Sequence, residues 1–275
     1  MILSILVVCV IVPMGFILSG KFSHLLKSLG LETSPNYNDG YVIAEFADPA
    51  DDLLAPIPGN EIYKDAANAL DIRVFSVKKV KFHALSGMGI APRFNLTFQF
   101  NGKLPNPYES AQKFSLPVIH VYIDHHGKAI EKKISKKVQF ANVDFGEEWD
   151  YQVIIDGMHD QARIYDSNGQ LLGHSLGLYV NYQEDNEAPK TQAKTKQQRK
   201  PSDPDQLFSG TTGITVGLPM KILGDPAKGQ WSYHVFIGLV DLRNPSMMFT
   251  SEESPYPLIF DSIIASHDAN LTQRQ

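Results

Sequence analysis

The stretch FNLTFQF, residues 94–100, decides the fold class. Phe94, Leu96, Phe98 and Phe100 fall on one side of the chain, and Asn95, Thr97 and Gln99 on the other. A period of two is that of a β-strand with one face turned to a core, because successive side chains of a pleated strand point to opposite faces. Working outward, the same strand chemistry recurs in YVIAEFA (41–47), VIHVYID (118–124), YQVIIDG (151–157), LYVNY (178–182), GITVGLP (213–219) and WSYHVFIGLVDL (231–242). ARIYDSNGQLLG (162–173) reads as a hairpin, with Asn168 and Gly169 supplying the positive φ angles of a tight turn. HHG (125–127) reads as another turn. No segment after residue 40 sustains a helical period. The economical architecture is all-β, two antiparallel sheets packed as a β-sandwich over residues 41–275.

Two stretches fall outside that series. MILSILVVCVIVPMGFILSG (1–20) has no charged side chain before Lys21. At about 1.5 Å rise per residue, twenty helical residues cross the hydrocarbon core of a bilayer, and Pro13 and Gly15 are tolerated there. The segment reads as one N-terminal transmembrane helix, an uncleaved signal-anchor in preference to a cleaved signal peptide, because Ile17, two before Ser19, spoils the small-x-small cleavage pattern. Residues 21–40 read as a stalk. Lys21 and Lys27 follow the span, which by the positive-inside rule favours a cytoplasmic body, whereas large domains translocate largely regardless of such charges; orientation stays open at this point. The second stretch, 183–206, contains no aromatic residue and no Ile, Leu, Val or Met, and reads as a disordered polar insert between two strands.

Composition excludes some functions. The net charge is −5, which lacks the basic footprint of general nucleic-acid binding. The single cysteine, Cys9, rules out an intramolecular disulfide framework. There is no Gly-rich phosphate loop, no Gly-x-Ser-x-Gly elbow and no His-Glu-x-x-His, so no catalytic residue is assigned. Met158 and His159 in GMHDQ keep a haem-binding redox module among the alternatives.

DPADD (48–52) puts three carboxylates in five residues directly after a strand. Calcium takes six to eight hard oxygens from carboxylates, carbonyls and water. The competing reading is an acidic turn in which Asp48 caps its own backbone and its neighbours face water. A sugar ring asks for an aromatic platform with polar groups beside it. The aromatics available for that role are Trp149 and Tyr151 in EEWDYQ, Trp231 in WSYHV, and Tyr108 after the Asn106-Pro107 turn.

Taken in order, these elements resemble the C-terminal binding module of glucodextranase, a DOMON-like β-sandwich of carbohydrate-binding-module character related to surface-layer homology regions. The resemblance is carried by Asp48-Pro49, Asp51-Asp52, Tyr63, Asp71 of LDIRVFSV, Asn106-Pro107, Tyr122 and Asp124 of VIHVYID, the run GITVGLPMKILGDPAKGQWSYHVFIGLVD, and Asp261 of LIFDSII. Of the glycines usual around the Asp-Asp pair, Gly59 alone is present. The resemblance implies a structural calcium held by Asp48, Asp51, Asp52 and the distant Asp71. Together with the apolar run 1–20 read as an anchor, it implies a non-catalytic, membrane-anchored module outside the cytoplasm that recognises a glycan or cell-surface polymer. The alternative is an assembly module that binds protein partners of a cell-envelope complex.

Overall fold

The computed structural model describes residues 40–49, 53–54, 69–80, 92–126, 138–146, 148–180, 210–241, 244–248 and 256–268. Segment 1–20, the stalk before Gly40, insert 183–206, and Asp51, Asp52 and Tyr63 lie outside the described residues. The chain divides into two units, Met1–Asp39 and Gly40–Gln275, and the second holds everything described below. Among the described residues no helix is long and apolar enough to cross a membrane.

The architecture is almost wholly antiparallel β. One sheet contains β1 (Gly40–Ala47), β2 (Ile72–Val80), β3 (Arg93–Phe100), β11 (Gly213–Pro219) and β10 (Gly177–Val180), in that spatial order. The other runs β13 (Asn244–Met248), β12 (Gln230–Asp241), β4 (Pro117–His126), β7 (Tyr151–Asp156), β8 (Arg163–Asp166) and β9 (Leu171–His174). In this second sheet β14 (Asp261–Asp268) also pairs with β12. The described residues also include a two-stranded piece, β5 (Val138–Gln139) with β6 (Asp144–Phe145), and a helical turn, α1 (Met220–Leu223).

The main core lies between the sheets. Phe75, Phe94, Leu96 and Phe98 of the first sheet meet Val121, Val153, Trp231, Tyr233 and Val235 of the second. Phe75 packs edge-on to Tyr233 at 5.4 Å, and Phe94 edge-on to Trp231 at 5.8 Å. These are the edge-to-face geometries that aromatic quadrupoles favour. Parity explains the membership: Trp231, Tyr233, Val235 and Ile237 alternate along β12, so one face of the strand fills the sandwich.

A second apolar cluster covers the opposite face of the second sheet, where Tyr122, Ile154 and Phe236 are overlaid by Phe140, Phe145, Trp149 and Ile259. Asn142 fastens this layer, donating to the carbonyl of Ile259 and accepting its N–H. The second sheet is therefore packed on both faces along β4 and β12.

Three local expectations need correction. Most of the polar face of β3 is buried too, with Asn95 1% and Thr97 5% exposed, while Gln99 is exposed. Ser76, Thr97 and Thr215 stand in register across β2, β3 and β11, the two threonine hydroxyls lie 3.2 Å apart, and Arg93 lies across Gly217. Short hydroxyl side chains that satisfy one another lie flat enough to be covered by longer neighbours. At the β8–β9 hairpin only Gly169 has positive φ, at +80°. Asp166 accepts the N–H groups of Asn168 and Gln170 on its carboxylate and that of Gly169 on its carbonyl. That side-chain cap leaves a single left-handed position for glycine to fill. His125 and His126, expected in a turn, are the last two residues of β4.

Candidate functional site

Three strand ends converge on one acidic point. β1 runs antiparallel to β2 with Ala47 opposite Val74, which carries the chain on to Asp48, whose N–H donates to the carbonyl of Arg73. Asp71 immediately precedes β2, and its carbonyl accepts the N–H of Asn101 from the end of β3. Asp261 is the first residue of β14, in the opposite sheet. One carboxylate oxygen from each of Asp48, Asp71 and Asp261 lies within 4.8 Å of the others. Asp71 and Asp261 are buried and Asp48 is partly so.

The arrangement is rigid. Asp261 Oδ2 accepts the N–H of Ile72 at 2.7 Å, and its Oδ1 accepts the N–H of Ser262 at 2.7 Å. Asp71 Oδ2 receives Asn101 Nδ2 at 3.5 Å. The backbone comes close as well, since the N–H of Leu54 donates to the carbonyl of Phe260. Two carboxylates 4 Å apart repel by about 4 kcal/mol at an effective dielectric constant of 20. A divalent cation at the common point would turn that repulsion into attraction. The donor set is all oxygen and mostly carboxylate, which fits calcium or magnesium and not a soft metal.

Of the four aspartates expected to hold calcium, Asp48 and Asp71 are therefore brought together, and Asp51 and Asp52 lie outside the described residues. Asp261 joins them from the far end of the chain. Its position as the closing aspartate of the resemblance was the available signal, but nothing in its local sequence marks it as a ligand.

The aromatic residues proposed as sugar platforms are placed differently from one another. Trp231 is 0% exposed, lies in the main core and donates its indole N–H to the carbonyl of Lys228. Trp149 is buried in the second cluster, edge-on to Tyr122 at 5.1 Å. A ring with no accessible face cannot stack on a sugar, so in this arrangement both tryptophans are packing residues. Tyr151 is half-buried against the main core. Tyr108 is 50% exposed, in the connection between β3 and β4.

Met158 and His159 lie in the turn after β7. Met158 is exposed, while His159 Nδ1 is bonded to Asp156 Oδ1 at 2.7 Å. Asp156 also receives the N–H of Met158 and a guanidinium nitrogen of Arg163, so its carboxylate organises the turn. His125 lies tilted against Trp231 with ring centroids 4.5 Å apart and ring planes 34° apart. Among the described residues, the three aspartates are the group of acidic, histidine or cysteine side chains whose ligand atoms converge.

A search of curated proteins gave no match. Comparison with family models did: residues 43–252 match the C-terminal binding module, SLH-like, of glucodextranase. That family is a binding module and not a catalytic domain. The match runs from β1 through β13 and takes in strands of both sheets. The chain thus belongs to the family of SLH-like C-terminal binding modules of glucodextranase.

Proposed function

We propose that the chain is a non-catalytic carbohydrate-binding module that works outside the cytoplasm, is held at a membrane by residues 1–20, and recognises a glycan or cell-surface polymer. Family membership over residues 43–252 carries this reading. The role asks the fold to present a rigid surface, and a sheet packed on both of its faces is suited to that. Retardation of the full chain in native gels containing polysaccharide tests the reading; migration unchanged by every polymer tried would overturn it. Protease accessibility in intact cells against lysed ones tests the location.

We further propose that Asp48, Asp71 and Asp261 hold a structural calcium. When bound, the ion supplies charge neutralisation and cross-linking, not chemistry. The proteins' own residues do the rest: Asp71 brings the start of β2, Asp48 the end of β1, and Asp261 the start of β14 from the opposite sheet. Occupation would therefore tie the two sheets at one end of the sandwich. A ligand at a hundred times its Kd stabilises the folded state by about 2.7 kcal/mol. Calcium should raise the melting temperature of the unmodified chain and leave Asp71→Asn nearly unmoved. A melting temperature indifferent to calcium and to chelator would return the cluster to a hydrogen-bonded sheet junction.

A further inference from the structure

We propose that the β9 end of the second sheet, centred on Tyr165, is a subsite for a neutral glycan, a proposal that rests on the carbohydrate-binding reading above. Strand register builds the subsite. Gln152 of β7, Tyr165 of β8 and Leu171 of β9 stand opposite one another in one row, and Arg163 and His174 stand opposite one another in the next. Residues paired across strands share a face, so these side chains project from the same side of the sheet. It is the side that carries Tyr122, because the Gln152 amide donates to the Tyr122 hydroxyl at 2.9 Å. The apolar layer of Phe140, Phe145 and Trp149 covers that face over β4 and β12. Tyr165 packs at the margin of the layer and remains partly exposed.

Beyond Tyr165, β9 is the last strand of the sheet among the described residues, and on it Leu171 is 47% exposed and His174 is exposed. The result is an aromatic ring supported from beneath, flanked by an amide on one side and an aliphatic side chain on the other, with a guanidinium one step along the strand. This matches the two demands of a pyranose: an apolar CH face to lie on a ring, and a rim of hydroxyls to meet polar groups. The polar groups are held in place beforehand. Gln152 is fixed by Tyr122 and lies 3.3 Å from His120 Nδ1. Arg163 is fixed by Asp156 Oδ2 at 2.5 Å. Pre-fixed groups lose little rotamer freedom on binding. The Gln152 amide nitrogen is engaged by Tyr122 and His120, which leaves its carbonyl oxygen for a sugar hydroxyl, and the carboxylate of Asp156 balances the largely covered guanidinium, so the site carries no net positive charge. That favours an uncharged sugar over an acidic one. Nothing local marks Tyr165 as a ligand contact, because it lies in a segment that reads as a hairpin.

The test is affinity electrophoresis of the full chain in mild detergent, in gels containing dextran, pullulan or soluble starch, with polygalacturonate as the acidic comparison. The unmodified chain should be retarded by a neutral polymer. Tyr165→Ala and Leu171→Lys should each weaken that binding about tenfold or more, the latter by crowding the ring from an exposed position. Tyr41→Ala, which removes an exposed tyrosine of β1 in the other sheet, should bind like the unmodified chain. If Tyr165→Ala melts early, Leu171→Lys decides alone. Undiminished retardation of both variants would overturn the subsite while the carbohydrate-binding reading stood. Retardation by polygalacturonate alone would overturn the neutral assignment. No retardation in any gel would overturn both.

Discussion

The carboxylate of Asp261, opening β14 in one sheet, accepts the backbone N–H of Ile72, opening β2 in the other, at 2.7 Å. The bond is buried and spans 189 positions of sequence. Its two partners belong to different sheets, so it sets where one sheet's edge sits over the other. Removing a buried acceptor costs more than the bond itself contributed, because the N–H is left desolvated. Asp261→Ala strands two N–H groups, those of Ile72 and Ser262, and should cost about 3 kcal/mol in urea unfolding. Asp261→Asn keeps one acceptor and should cost about half of that, while abolishing any melting-temperature response to calcium. A loss below about 0.5 kcal/mol for the alanine variant would show that the carboxylate does not brace the sheets.

Gly157 ends β7 against the Phe114 backbone. A Cβ built there would run into the Phe114 carbonyl, whereas one on Gly146 would meet nothing within 4 Å. Backbone cannot step aside as a flexible side chain can. Gly157→Ala should therefore destabilise by several kcal/mol or fail to accumulate as folded protein, and Gly146→Ala should lie within about 0.5 kcal/mol of the unmodified chain. Equal stability of the two variants by thermal melting would contradict the close packing of β7 on the Phe114 loop.

Phe75 is the aromatic hub of the core, with ring centroids 5.9 Å from Phe46, 5.3 Å from Phe98 and 5.4 Å from Tyr233. Truncating a fully buried phenylalanine removes its transfer free energy and leaves a cavity, together about 3–5 kcal/mol. Phe75→Ala should reach that range and Tyr108→Ala, at an exposed loop position, should not exceed about 0.5 kcal/mol. A small loss at Phe75 would mean that the sheets close over the gap.

These cases show what a strand pattern reveals and what it hides. The alternation in residues 94–100 locates β3, because a pleat forces period two on any strand with an apolar face. The same parity in WSYHVFI assigns Trp231 to the apolar row with Tyr233 and Val235. Weighed against its tryptophan identity, parity was the better guide to Trp231. Coverage of a face is a different matter. Asn95 and Thr97 look like solvent positions because nothing local records what lies over them. The acidic junction is hidden for the same reason: Asp71 and Asp261 belong to strands whose adjacency is set by the stacking of two sheets. Asp48 and Asp71 are legible through the ordered landmarks of the family resemblance, and Asp261 becomes a site residue only when the sheets are brought together.

His120, on the covered face of β4, links stability to pH. Burial is the main force on it, with the Arg163 charge adding to it, and its pKa falls from 6.5 to about 3. Burial also lowers the pKa of His267. The native state thus holds His120 neutral, while the unfolded chain protonates it below about pH 6.5. Between those two values the unfolded state binds the extra proton, so stability rises with pH and is complete above about pH 6.5. Each unit of acidification inside the window removes up to about 1.4 kcal/mol through this one group. His120→Gln removes the titrating ring and leaves an amide to meet Gln152. Urea unfolding of both proteins at pH 7 and pH 4.5 isolates the effect, since the carboxylates titrate alike in each. The unmodified chain should lose about 2 kcal/mol more than His120→Gln over that interval. Parallel losses would show that His120 is reached by water and protonates in the folded state.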